Sequence, residues 1–136
     1  MLFQSANRLV IVKPASFGCD EISAETNVFQ NNHSSNKLFK LVEKEHFELT
    51  KLLDKNNIAF QILNSPKECL DGIFPNNWVI TYFDKTYDLF SMLNPNRRLE
   101  RSKENIDFLQ NSYSLKNDFS TYEKNNQFLE GTGSLV

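Results

Sequence analysis

The chain has 136 residues, 40% hydrophobic and 24% charged, and its 15 basic and 17 acidic residues give a formal net charge of -2. That length suits one ordinary domain with a modest core, and the near balance of charge argues against a nucleic-acid surface or a polybasic membrane surface. The longest apolar runs are four to five residues, such as Leu9-Val10-Ile11-Val12; a bilayer span needs about 20, and no charged n-region precedes a long apolar stretch as a secretory leader requires.

In chain order, Leu9 to Lys13 is a short apolar run ended by Pro14, which predicts a buried strand. Residues 15–36 are polar and irregular, with the loop-like stretch Asn-Asn-His-Ser-Ser-Asn at 31–36. Leu38, Leu41, Val42, Leu49, Leu52 and Leu53 then fall on one face at helical spacing. Ser35 or Asn36 can cap the start of this helix, and Asn56-Asn57 suits its end because Asn tolerates the left-handed conformation. Ile58 to Leu63 is the next expected strand, broken by Ser65-Pro66. Trp78–Phe83 and Thr86–Met92 predict two strands around an Asp84-Lys85 hairpin turn, and Asn94-Pro95 is a stop. A second helix is expected from Arg97 to about Tyr113, with Leu99, Ile106 and Leu109 facing inward. Residues 114–127 are polar, and an apolar segment begins at Phe128. The order strand, helix, strand, hairpin, helix, strand indicates a mixed α/β fold.

Three clusters could carry chemistry. In Asp71-Gly-Ile-Phe-Pro-Asn-Asn-Trp78, Asp71 and Asn77 can both point into a site, although composition alone favours an Asn-rich turn capped by a packed Trp. In Asn94-Pro-Asn-Arg-Arg-Leu-Glu-Arg101, adjacent arginines at a helix start suit a substrate carboxylate, through the guanidinium fork and free N–H groups. The competing reading pairs Arg97 or Arg101 with Glu100 or Glu104 on the surface, an interaction worth roughly 0–1 kcal/mol. In Leu129-Glu-Gly-Thr-Gly-Ser134, two glycines beside a carboxylate let the backbone pass close to a ligand or a catalytic partner. His33 and His46 lack the partnered, partly buried setting of a general base. Cys19 and Cys69 lie far apart with no metal-ligand spacing and no adjacent base, so both are expected to be reduced thiols in a cytoplasmic protein.

Together these clusters resemble one family. Phe17-Gly18 with Asn27-Val-Phe-Gln30, Asp71 with Phe74-Pro-Asn-Asn-Trp78, Met92 with Asn96-Arg-Arg-Leu-Glu-Arg101, and Leu129-Glu-Gly-Thr-Gly-Ser-Leu135 are similar to the arginine deiminase-related proteins, citrulline-utilisation hydrolases or amidinotransferases, of the pentein superfamily of guanidino-group-modifying enzymes. The resemblance implies a five-fold pseudosymmetric α/β propeller, of which residues 1–136 would form about two ββαβ modules plus the start of a third, within a single catalytic domain. It implies hydrolysis of the C–N bond of a guanidino or ureido group on a citrulline- or arginine-like amino acid: a Cys thiolate attacks the carbon, an amine leaves, and water hydrolyses the thio-intermediate. The chain is expected to be the N-terminal portion, with the catalytic His and Cys downstream of Glu-Gly-Thr-Gly, and to be inactive alone.

By position, the resemblance implies Glu130 as the acid that orients the His, Asp71 and Asn77 as substrate-binding residues, Arg97 as the carboxylate-binding Arg, and Phe17 and Gly18 in the loop over the substrate's amino-acid end. It implies no metal and no cofactor. Asn77 stands where most guanidinium-binding relatives carry Asp, which suits a neutral ureido group. Tyr82 and Ser91 stand where relatives usually carry His and Pro. Other readings are a degenerate amino-acid-binding protein and one half of a split enzyme completed by a second chain. Bare module faces predict poor solubility, a homo-oligomer or a complementing chain.

Overall fold

The computed structural model describes residues 8–18 and 36–131. Residues 1–7, 19–35 and 132–136, with the Asn27–Gln30 motif, Cys19, His33 and Ser35, lie outside the described residues.

Strand β1 (Arg8–Lys13), helix α1 (Asn36–Lys55) and strand β2 (Ala59–Asn64) form a parallel β-α-β unit, paired from Arg8 with Ala59 through Lys13 with Asn64. The end of α1 follows from Asn57. Its φ of 55° turns the chain out of the helix, and the Asn57 and Ile58 N–H groups reach back to the Asp54 and Leu53 carbonyls, both at 3.0 Å. This arrangement satisfies the last carbonyls of a helix.

The second unit begins with a 3-10 turn at Pro75–Asn77, then β3 (Val79–Thr81) and β4 (Thr86–Leu89), which form an antiparallel hairpin. Lys85, at φ 59°, supplies its left-handed corner. Two helices, α2 (Pro95–Arg98) and α3 (Lys103–Gln110), lead to β5 (Ser114–Asp118), which lies parallel to β4 and gives the sheet order β3-β4-β5. The unit is therefore strand-strand-helix-strand, and a mixed α/β fold is borne out. A second 3-10 segment, Phe119–Asn125, follows.

One core joins the two units: Val12 and Leu63 pack with Trp78, Val79, Tyr87, Leu89, Met92 and Leu109. Polar contacts reinforce the join. Asn105 donates to the Asn64 carbonyl at 3.1 Å and to the Glu100 carbonyl at 2.7 Å.

The structure departs from the sequence reading at four places. The helix expected from Arg97 to Tyr113 is two helices, because the Ser102 side chain caps the start of α3 by accepting from Asn105 N–H. The break leaves Leu99 exposed while Leu109 is buried. Asn94-Pro95 starts a helix instead of only ending a strand: Asn94 caps α2, and Pro95 occupies a first-turn position where no N–H is needed. Along α1, Leu53 is buried, but Leu41, Leu49 and Leu52 stay exposed among the described residues. The run 114–127, read from the sequence only as polar, holds β5 and the second 3-10 segment.

Leu109 is 1% exposed at the centre of the joint core. Leu109→Ala should cost about 3 kcal/mol, from lost transfer energy and the cavity left behind. A urea melt should show a lower midpoint with an unchanged slope.

Candidate active site

The expected site residues come from four separate stretches, and local structure delivers each one. Ser16 Oγ donates to the Lys67 carbonyl at 2.6 Å, and Gly18 N–H donates to the Leu70 carbonyl at 3.0 Å. The half-buried Phe17 and the buried Gly18 therefore run beside the segment that enters Asp71. Gly72 follows directly. A Cβ there would collide with Ser65 Oγ and with Cys69 Cβ at 2.7 Å, so only glycine lets the chain turn this tightly. The 3-10 turn then presents Asn77, with Pro75 in its first turn.

Arg97 comes from α2. Its Nε donates to Glu100 Oε1 at 2.6 Å, its Nη2 donates to the Phe74 carbonyl at 3.1 Å, and Asp71 Oδ1 lies 3.7 Å from Nε. Asn77 Nδ2 donates to Glu130 Oε2 at 3.4 Å, and Leu93 N–H donates to Glu130 Oε1 at 3.2 Å. Glu130 also lies within electrostatic reach of Arg97. Asp71, Asn77, Arg97 and Glu130 thus belong to one cluster, with Phe17 and Gly18 flanking it through Leu70.

The cluster is dry. Arg97 is 6% exposed and Glu100 2%. Burial works against the charge of Arg97, but Glu100 first, then Asp71 and Glu130, hold its pKa above the ordinary value. Burial also lifts the Glu100 carboxyl above its ordinary value, with Arg97 opposing. The indole N–H of Trp78, itself buried, favours the Glu100 carboxylate without closing a hydrogen bond to it.

Two expectations change here. The Arg97–Glu100 pair was weighed as a weak surface contact, and it is a buried, hydrogen-bonded one. The arginines were placed at a helix start, but α2 is one turn long and Arg97 and Arg98 lie in its last turn, where cations are favoured.

Sequence reasoning missed a second knot. Arg101 Nη2 meets both oxygens of Glu123 at 2.7 Å, Arg98 Nε lies 3.5 Å from Glu123 Oε2, and Met92 N–H donates to Glu123 Oε1 at 2.7 Å. The adjacent arginines were the available signal. Glu123 stood in a polar run with no pattern to mark it.

The glycine argument holds at Gly131. A Cβ there would enter the Asn76 carbonyl oxygen and press on the Phe90 ring at 3.0 Å. Ser91 Oγ accepts from Leu129 N–H at 2.8 Å, an acceptor that a proline at this position lacks. Tyr82 donates to the buried Asp88 at 2.8 Å.

Cys69 is fully buried, and its Sγ donates to the Asn96 carbonyl at 2.8 Å. Burial, then the charge of Glu100, pushes the thiol up to about 12. His46 lies on α1, where burial and then Lys13 lower its proton affinity. It lines a cavity of about 570 Å³ between β1, α1 and the segment from Ile73 to Asn76; none of the six expected site residues lines that cavity. Among the described residues, no group of His, Cys, Asp and Glu is arranged to hold a metal, and no helix is long and apolar enough to cross a membrane.

A family model described as N,N dimethylarginine dimethylhydrolase, eukaryotic, matches residues 13–136. No curated protein and no solved structure matches the chain. The match bears out the expected superfamily of guanidino-group-modifying proteins.

Gly131→Ala should drive the Glu130 segment off Asn76, breaking the Asn77–Glu130 contact and destabilising the fold by about 1–3 kcal/mol, as overpacking does; a denaturant melt, with the Asn77 side-chain amide resonance as a local probe, checks this. A second outcome concerns pH. Cys69 keeps its proton to about 12 when folded, against an ordinary 9.0. The unfolded chain releases that proton first, so stability falls as pH rises through the interval between those values. In a Cys19→Ser background, alkylation of Cys69 at pH 8 should therefore be slow until the protein is unfolded.

Proposed function

Because the chain belongs to the eukaryotic N,N-dimethylarginine dimethylhydrolase family, we propose that it serves the hydrolysis of a guanidino C–N bond in a methylated, arginine-like amino acid. The supporting observation is the convergence of Asp71, Asn77 and Glu130, from sequence-distant segments, around one buried guanidinium. In this reading the propeller built from ββαβ modules frames the site, and the strand-strand-helix-strand order of residues 79–118 is one such module.

The chemistry assigns each group a task. A carboxylate such as Asp71 attracts the cationic guanidino group and turns its carbon toward a nucleophile. A thiolate adds to that carbon, the methylated amine leaves with a proton delivered by an imidazole, and water releases the ureido product. Glu130 orients the imidazole, as the acid of a triad does. Cys69 does not fit the nucleophile's role, because it is buried, protonated and bonded to Asn96. His46 lines a different cavity from the cluster. Among the described residues, neither Cys69 nor His46 therefore supplies the thiolate or the imidazole.

A second reading is favoured by Asn77. Its side chain is an uncharged amide whose Nδ2 already donates to Glu130. Its carbonyl oxygen can accept from a neutral ureido N–H, which favours a citrulline-like ligand.

Calorimetry with Nω,Nω-dimethylarginine and citrulline separates the two readings. The guanidino reading expects tighter binding of dimethylarginine, a loss of at least about tenfold in Asp71→Asn, and a further shift toward the cation in Asn77→Asp. Tighter binding of citrulline by the unmodified protein would reverse the order of the readings. Assay of released dimethylamine then separates an enzyme from an amino-acid-binding copy, which binds without turnover.

A further inference from the structure

Glu130 needs a support, because no helix or strand of its own fixes it. The segment from Ser91 to Leu93, just past β4, supplies one. Leu129 N–H donates to the Ser91 carbonyl at 3.0 Å and to Ser91 Oγ at 2.8 Å. Glu130 Oε1 accepts from Leu93 N–H at 3.2 Å, shorter than the 3.4 Å from Asn77 Nδ2 to Oε2. The same segment is gripped by Glu123. A peptide group is rigid and planar, so fixing its carbonyl fixes the direction of its N–H, and the reverse. In the peptide that joins Ser91 to Met92, the N–H donates to Glu123 Oε1 at 2.7 Å while the carbonyl accepts from Leu129. In the peptide that joins Met92 to Leu93, the carbonyl accepts from Arg98 Nε at 2.9 Å while the N–H donates to Glu130. Arg98 Nε lies in turn 3.5 Å from Glu123 Oε2.

We propose that Glu123 is a positioning residue for Glu130: by fixing the Ser91–Met92 and Met92–Leu93 peptide groups, it sets the place and direction of the Glu130 carboxylate. Each of these two planes is held at one end by Glu123 or its partner Arg98, and each presents its other end to residue 129 or 130. Arg101 tightens the grip. Its Nη2 meets both Glu123 oxygens at 2.7 Å, and its Nη1 donates to the Phe90 carbonyl at 3.0 Å. The pair is largely shielded, with the Arg101 side chain 11% exposed and that of Glu123 13%, a setting in which charge-assisted hydrogen bonds are strong and directional. The use to which Glu130 is put rests on the guanidino reading above; its placement by Glu123 does not.

The first test is amide hydrogen exchange, followed by NMR, on the unmodified protein, Glu123→Gln and Glu123→Ala. Glutamine keeps the size and an acceptor for Met92 N–H but removes the charge that holds Arg98; alanine removes both. Exchange at the Leu93 and Leu129 amides should quicken about tenfold or more in Glu123→Ala, and by less in Glu123→Gln. The Ser65 amide, which donates to the Lys13 carbonyl at 3.1 Å in the first unit, should change by less than about twofold. A uniform rise at all three amides, which general loosening of the fold produces, overturns the proposal, as does unchanged exchange at Leu93 and Leu129. Where Glu123→Ala does not fold, Glu123→Gln supplies the same comparison. The second test is kinetic and follows release of dimethylamine from Nω,Nω-dimethylarginine. Glu123→Ala should lower kcat about tenfold or more and leave KM within about twofold, because Glu130 acts on the imidazole and not on the ligand; Glu123→Gln should lose less. In a Glu130→Gln background the change Glu123→Ala should lower kcat little further, as expected of residues that act as a unit. Losses that multiply independently, or a rise in KM alone, overturn the positioning role. If the unmodified protein releases no dimethylamine, the hydrolytic reading fails, and exchange at Leu93 and Leu129 alone decides whether Glu123 places Glu130.

Discussion

A guanidinium removed from water must find anionic or carbonyl partners, since an isolated buried charge is prohibitively unfavourable. That constraint organises much of the second unit. Arg97 reaches Glu100 within its own turn, the Phe74 carbonyl across the 3-10 segment, and Asp71 beyond it. Each contact pins a segment with little regular structure of its own. The stretch from Asp71 to Trp78 contains one 3-10 turn, α2 is a single turn, and Glu130 belongs to neither helix nor strand. Hydrogen bonding to buried charge, more than secondary structure, sets where these side chains lie.

The Glu123 knot repeats the device a few residues away. Arg98 and Arg101 bracket Leu99 and Glu100 in sequence. Both turn toward the chain at Phe90–Leu93: Arg98 donates to the Met92 and Leu93 carbonyls, and Arg101 donates to the Phe90 carbonyl. Phe90 stacks on Phe119, with ring centroids 6.0 Å apart. The polar-looking 3-10 segment is thereby locked onto the end of β4. The three arginines of the Asn-Arg-Arg-Leu-Glu-Arg run thus divide between two carboxylate centres, Arg97 within the candidate site and Arg98 and Arg101 at Glu123.

The parts of the fold legible in the sequence were those with a strong local signal. β1, α1, β2 and the Asp84-Lys85 hairpin follow from apolar runs, helical spacing and residues that tolerate positive φ, and Asn57 and Lys85 adopt it. The elements that escaped depend on distant partners. β5 has no apolar alternation, because it is defined by parallel pairing to β4 and by Asn117 donating to Asp88 at 2.9 Å. The break between α2 and α3 depends on the Ser102 cap, which a continuous helical spacing conceals. The gathering of Asp71, Asn77, Arg97 and Glu130 was legible only through family resemblance. Nothing local brings residues so far apart in sequence together. Glu100 was visible as an i,i+3 partner of Arg97, but its burial was not, since burial is supplied by Trp78 and the core beneath it.

Among the described residues, β5 is the outer strand of the three-stranded sheet, with every one of its residues exposed. An unpaired strand margin invites addition of a further strand from another molecule. This one reads Ser-Leu-Lys-Asn-Asp, with Lys116 folded over the Tyr82 ring at 4.7 Å, and its register with β4 shifts between Tyr87 and Asp88. A charged, irregular margin is a poor template for stacking. The hairpin's sheet therefore carries its own resistance to fibre growth, independent of whatever lies against the open apolar side of α1.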